Sequence, residues 1–228
     1  MSTPTAALKP RKSPRQARSA ATVEALHTAA VQVLTREGLG RCTTTRVAAR
    51  AGMSVGSLYQ YYPNRDALLA AVLARHLDGV AGAVAEVCQQ SRGRPAAEMA
   101  RALVASFLDA KLRDPQESKA LYAVAAERGG AELAAQAGAR MTGAIAAMLA
   151  SAPDARFADP AVTAGIAFRA LAGPVRAVLE GTAPPGFQAC LQEQLALLLG
   201  AYFTAGQGPA HTRPARAAAK RPPRCAFG

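Results

Sequence analysis

The sequence has no tryptophan, three histidines and four cysteines among its 228 residues. Each scarcity excludes something. His27, His76 and His211 lie far apart, and no two share an i, i+4 face. No carboxylate–thiol cluster accompanies them, so neither a metal site nor histidine-based catalysis has support. Cys42, Cys88, Cys190 and Cys225 form no C-x-x-C pair and read as reduced thiols. Nucleotide-cradling glycine loops are also missing, and no catalytic residue, cofactor or enzymatic role is assigned. Residues 1–18 are polar and basic with no apolar stretch and do not read as a secretory signal. The window Leu191–Phe203 is the most apolar, is broken by Gln192-Glu193-Gln194, and is too short to cross a bilayer. A cytoplasmic protein is expected.

Acidic residues are scarce at both ends. Residues 1–75 carry 11 basic and 3 acidic side chains, and residues 207–228 carry 5 and none. The stretch between is nearly neutral, with 11 and 12. The net charge of +12 therefore sits on the flanks of an apolar body, where it favours a polyanion such as nucleic acid. Half the residues are hydrophobic, enough to build a core.

Strand signals are nearly absent and alanine is abundant, so the fold class is all-α with about nine helices. Residues 1–17 read as a disordered basic arm. Residues 18–63 read as a basic module of three helices. Residues 64–206 read as a helical body, and 207–228 as a disordered basic tail. The first helix runs from a Ser19 cap to Glu37, with Val23, Leu26, Ala30, Val33 and Leu34 on one stripe. Gly38 stops it. Short helices follow over 44–51 and 55–62, the second ended by Pro63. Asn64 caps a long helix towards Gln90. Pro95 fits the first turn of another helix, and Asp114-Pro115 and Asp159-Pro160 open two more.

The informative stretch is Thr44 to Tyr62. Counting Thr44 as the first position, Val47, Ala51, Met53, Leu58 and Tyr61 take the inward sites of two short crossing helices. Ala48 is small enough for a close crossing. Gly52 suits a left-handed turn, and Ser54 caps the second helix. An ordinary αα-corner meets some of these constraints but does not explain the positive charge around it.

The run 23–73 resembles the N-terminal domain of the tetracycline-repressor (TetR/AcrR) family. The matching features are Ala29-Ala30, Gly38, the threonines 43–45, Val47-Ala48, Ala51-Gly52, Ser54, Gly56, Leu58-Tyr59, the aromatic pair before Pro63, and Ala67-Leu68-Leu69. Arg65-Asp66 stands where Lys-Glu is common, and Tyr62 where Phe is common. The second short helix fits the major groove. Val55 and Gly56 permit close approach to base edges. Ser57, Tyr59 and Gln60 offer hydrogen bonds, and Thr44 and Thr45 offer hydroxyls to a phosphate. Arg46, Tyr61 and Arg65 lie where phosphates should pass, and the resemblance gives Tyr59 and Arg65 as phosphate contacts. Ser54 completes this DNA-binding set. Tyr61 serves equally as core, and Arg46 as a solvated surface charge.

The resemblance makes residues 18–63 a helix-turn-helix DNA-binding domain and 64–206 a ligand-binding and dimerisation domain, and implies a homodimer on an inverted-repeat operator, with the interface in the last two helices. Phe168, Leu171, Val175, Leu191, Leu195, Leu198 and Tyr202 are its candidates, although the same residues suit an intrachain core. Met99, Leu103, Phe107, Tyr122, Met141 and Ile145 are candidates to line a pocket for a small hydrophobic or amphipathic effector. Little inward charge is apparent there, which disfavours a highly charged ligand. The function expected is a ligand-released repressor. The alternative is a DNA-bound factor of chromosome organisation or cell division with no effector.

Overall fold

Alanine-rich segments punctuated by proline, glycine and capping side chains form nine α-helices among the described residues of a computed structural model, 17–127 and 129–205. Of Ala17 and Arg18 only the backbone is described. The arm up to residue 16, the tail, His211 and Cys225 lie outside the described residues.

The helices are α1 (Ala17–Glu37), α2 (Thr44–Arg50), α3 (Val55–Tyr59), α4 (Arg65–Gln90), α5 (Ala96–Leu112), α6 (Pro115–Ala125), α7 (Gly130–Leu149), α8 (Pro160–Glu180) and α9 (Phe187–Thr204). A 3₁₀ turn, Leu39–Arg41, joins α1 to α2. The starts follow side-chain chemistry. Thr43, Ser54, Asn64, Asp114 and Asp159 each accept a bond from a free first-turn N–H. Such a cap is worth about 1 kcal/mol. Gly52 takes φ +70 between α2 and α3, where a Cβ would be strained. Gly130 is needed for a different reason, because a Cβ there would meet the Ala125 backbone at 2.6 Å.

Four boundaries differ from expectation, the smallest being the end of α2 at Arg50 rather than residue 51. α1 begins at Ala17, ahead of Ser19. α3 ends at Tyr59 rather than Tyr62: Gln60 and Tyr61 bond to the Ser57 and Leu58 carbonyls in tighter i−3 fashion as the chain turns into Pro63. Pro95 caps α5 instead of opening it.

Two apolar cores result. The first joins Leu26, Ala30, Val33 and Leu34 of α1 to Val47, Ala48, Leu58, Tyr62 and the first turns of α4. Helix α6 adds Leu121 and Val124 to it. Tyr62, not Tyr61, is the buried aromatic, 2% exposed; Tyr61 is half-buried. Its place at the helix end rotates the inward site by one residue. The second core fills the body, where α4 packs on α7, α5 on α9 and α7 on α8.

That second core holds most of the residues named as pocket and dimer candidates. Met99, Leu103, Phe107, Met141 and Ile145 are fully buried in it and line neither large cavity. Each is a close-packed core residue, contributing about 1.5–3 kcal/mol by leaving water. Leu171, Val175, Leu191 and Leu195 are likewise intrachain core, 0–3% exposed. Helices α4 and α8 are long and apolar enough to cross a membrane by length and composition, unlike the window singled out in the sequence. In α4 these apolar residues, Leu68 to Cys88, pack into the two cores.

Candidate nucleic-acid interface

Helices α2 and α3 cross through Val47, Ala48 and Leu58, all 0% exposed. With those sites turned inward, the opposite edge of α3 must face out. It carries Gly56, Tyr59 and Gln60, all exposed, with Val55 and Ser57 half-exposed. Thr44 and Tyr59 are brought together, hydroxyl to hydroxyl at 3.3 Å. They form one polar ledge with exposed Thr45 and Arg46. Ser54 and Ser57 are turned to each other instead. The Ser54 hydroxyl accepts from the Ser57 N–H at 3.1 Å and lies 2.9 Å from the Ser57 hydroxyl. Their first task is therefore to hold the α3 N-terminus.

The cations of this head are guided by side-chain partners. Arg46 pairs with Glu37. Arg50 donates to the Gln32 side-chain oxygen at 2.6 Å. Arg65, given as a phosphate contact by the resemblance, is engaged within the protein. Its Nε donates to the Cys42 carbonyl at 2.8 Å and its Nη2 to the Leu39 carbonyl at 2.9 Å. Its Nη1 reaches Glu127 at 3.4 Å. The fork geometry of a guanidinium suits this clasp of loop carbonyls, which fixes the turn before α2.

Behind the head lie two cavities. The larger, about 540 Å³, opens between α1, α4 and α6 and is walled by Glu24, His27, Arg75, His76, Gly79 and Glu117 among others. Arg75 forms a bidentate pair with Glu24, one arm at 2.8 Å. His27 shares a 2.7 Å hydrogen bond with the Tyr62 hydroxyl, and its Nδ1 is buried without a partner. Burial holds the His27 pKa below the ordinary imidazole value and pushes the Tyr62 phenol up to about 12, so both are neutral near pH 7. The smaller cavity, about 280 Å³, lies between α4, α5, α6 and α8 and has Tyr122 in its wall. Of the six residues expected to line a pocket, Tyr122 borders this cavity.

Sequence reasoning missed Lys111 and His76, which border this smaller cavity. A signal existed: Lys111 continues the inward repeat Leu103/Val104, Phe107/Leu108 of α5, where a charge is out of place. It also missed Val162 and Ile166 on α8 and Leu197 on α9. These are 51–66% exposed, as is Leu198, while Phe168 and Tyr202 are half-buried.

A short, capped helix exposed on a three-helix head, crossed by a second helix and set on an apolar body, defines a helix-turn-helix DNA-binding regulator. Comparison with known families places it more narrowly. Residues 26–72 match the bacterial regulatory proteins of the tetR family, and residues 95–203 match the tetracyclin repressor-like C-terminal domain. The chain belongs to the TetR family of transcriptional regulators. Solved structures of similar fold include a transcriptional regulator of Rhodococcus sp. Rha1, at 20% identity over 82% of this chain and 98% of that one, TM-score 0.65. Others are the fatty acid degradation regulator FadR of Bacillus halodurans (16%, 78% and 97%, TM-score 0.61) and SmeT of Stenotrophomonas maltophilia, the repressor of the multidrug efflux pump SmeDEF (18%, 80% and 88%, TM-score 0.61). At these identities the likeness is one of fold. A search of curated protein sequences gave no match.

Proposed function

We propose that this regulator is a cytoplasmic homodimeric repressor that holds an inverted-repeat operator and is released by a small amphipathic molecule bound in the body. The observation that carries the DNA reading is the bare outer edge of α3, continuous with the Thr44–Tyr59 ledge. Gly56, Tyr59 and Gln60 would reach base edges or phosphates, with Thr45 and Arg46 on the backbone beside them. One such head makes a small interface, so useful affinity calls for two heads on a two-fold axis. The exposed apolar residues of α8 and α9 supply a surface for that pairing. SmeT, a repressor of the same fold, is in keeping with the sign of regulation. The two cavities support effector control over a DNA-bound factor with no ligand, for which a solid body would serve.

Selection from random duplexes tests this reading, with Gly56→Ala as the control variant. A Cβ at Gly56 would meet only the Ser54 hydroxyl at 3.7 Å, an ordinary contact. Alanine there should fold at least as well and bind the selected inverted repeat at least tenfold more weakly, a loss of about 1.4 kcal/mol. Enrichment of no symmetric site, or undiminished binding by Gly56→Ala, would overturn the reading.

A further inference from the structure

The smaller cavity is closed at one end by a cation that the DNA-reading role does not use. Lys111, the penultimate residue of α5, is 6% exposed. Among the described residues, no carboxylate lies within ion-pair distance of its ammonium. Its neighbours are His76 Nε2 at 3.4 Å and the face of the Tyr122 ring at 4.5 Å. The tautomer of His76 that satisfies both its contacts donates from Nδ1 to Glu117 at 3.2 Å and accepts at Nε2 from Lys111. A second cation, Arg176 of α8, reaches the same tyrosine ring at 5.9 Å from the solvent side, with Glu180 on its Nε at 2.7 Å.

The remaining walls are Leu73, Leu77, Leu121, alanines and Ser118, whose hydroxyl is spent on the Lys111 carbonyl at 2.8 Å, and no acidic residue lines the space. An ammonium withdrawn from water with no anion beside it is unfavourable. A position serving only to fill the core would be better taken by an uncharged chain of similar length. Lysines of this kind ordinarily extend their head group to solvent. This one points its charge at an apolar space of molecular size.

We propose that the smaller cavity binds a small monocarboxylate with a compact apolar body, its carboxylate on Lys111 and Arg176 and its body against Leu77, Leu121 and Tyr122. The proposal rests on the effector-controlled reading above and names the class of that effector. A single negative charge matches one buried ammonium and one shared guanidinium, and the apolar walls exclude a densely charged ligand. The site also has a route to the DNA-reading head. A carboxylate seated on Lys111 draws the ammonium away from His76, whose other nitrogen ties α4 to Glu117 of α6. Helix α6 sets Leu121 and Val124 into the core of the head.

The test is calorimetric titration of the full chain near neutral pH with hexanoate and benzoate, and with hexanamide and benzamide as uncharged counterparts. At least one carboxylate should bind about tenfold or more tightly than its amide. That ratio should fall towards one in Lys111→Met and by several-fold in Arg176→Gln. Equal binding of acid and amide, an undiminished ratio in both variants, no binding of either acid, or equal binding of inorganic phosphate would overturn the proposal. If Lys111→Met fails to fold, the acid-to-amide ratio in the unmodified protein and in Arg176→Gln decides. Operator binding is read separately. Carboxylate binding with no change in operator affinity upholds the site and removes the switch, whereas failure to select an inverted repeat removes the regulator reading and leaves the ratio intact.

Discussion

At Lys111 the body keeps a charge in a place built for carbon, and its protonation should be visible in stability. Burial lowers the ammonium pKa from 10.5 to about 8, against the attraction of Glu117. Between those values the unfolded chain holds the proton more firmly than the folded one, so stability rises with pH across that window. Below about pH 8 the folded protein bears the full penalty, about 3 kcal/mol. Lys111→Met should therefore unfold at higher urea than the unmodified protein near pH 7, and the gap should close as pH approaches about 10. The groups facing Lys111 are His76, Glu117, Tyr122 and Arg176. The raised pKa values of Cys42, Cys88 and Tyr62 reduce stability at alkaline pH in both proteins and cancel in the difference. A gap independent of pH would mean that an anion already neutralises the lysine. Periodicity in the sequence identified which residues turn inward. It could not tell whether an inward residue meets other side chains, as Met99 and Ile145 do, or a cavity, as Tyr122 does. That depends on how neighbouring helices are spaced.

Among the helices, α6 carries more than the sequence suggested. Its apolar face reads as one stripe, yet Leu121 and Val124 belong to the DNA-reading core while Tyr122 belongs to the body. The long α4 was legible from its Asn64 cap, and it is the first link between the two, with residues in both cores. The second link was not, because it depends on contacts far apart in the chain. Arg65 at the head of α4 holds the loop carbonyls of Leu39 and Cys42 and reaches Glu127 just beyond the end of α6. This distinguishes a clasp from a phosphate contact. Removing a phosphate contact lowers the slope of log affinity against log salt by about one. Removing the clasp takes the arginine donor from the Cys42 carbonyl, leaves the Leu39 carbonyl only the Cys42 N–H, and costs about 1–3 kcal/mol of stability. We expect Arg65→Ala to lower the melting temperature and weaken operator binding while leaving the salt slope unchanged. A slope reduced by one with unchanged melting would restore the phosphate role.

On the scale of the whole molecule, the remaining asymmetry is apolar surface with nothing on it. Helix α9 is hydrophobic on almost every side, so its sequence could not separate the inner stripe from the outer one. The structure sends Leu191, Leu195 and Leu199 inward and leaves Leu197 and Leu198 66% and 52% exposed. On α8, Val162 and Ile166 are outward by the same division. These four residues make the proposed homodimer testable apart from folding, since a residue already in water contributes little to the monomer. In a two-fold interface each substitution acts twice. Burying leucine is worth about 1.5–3 kcal/mol, so Leu197→Glu should cost the dimer about 3–6 kcal/mol, a factor of more than about a hundred in dissociation constant. The two introduced carboxylates would add repulsion. Sedimentation should then find a folded monomer with unchanged helical content, and operator binding should fall to the weak affinity of a single head. A variant that remains a dimer would place the two-fold axis on another face. A monomer with undiminished operator affinity would mean that one head suffices.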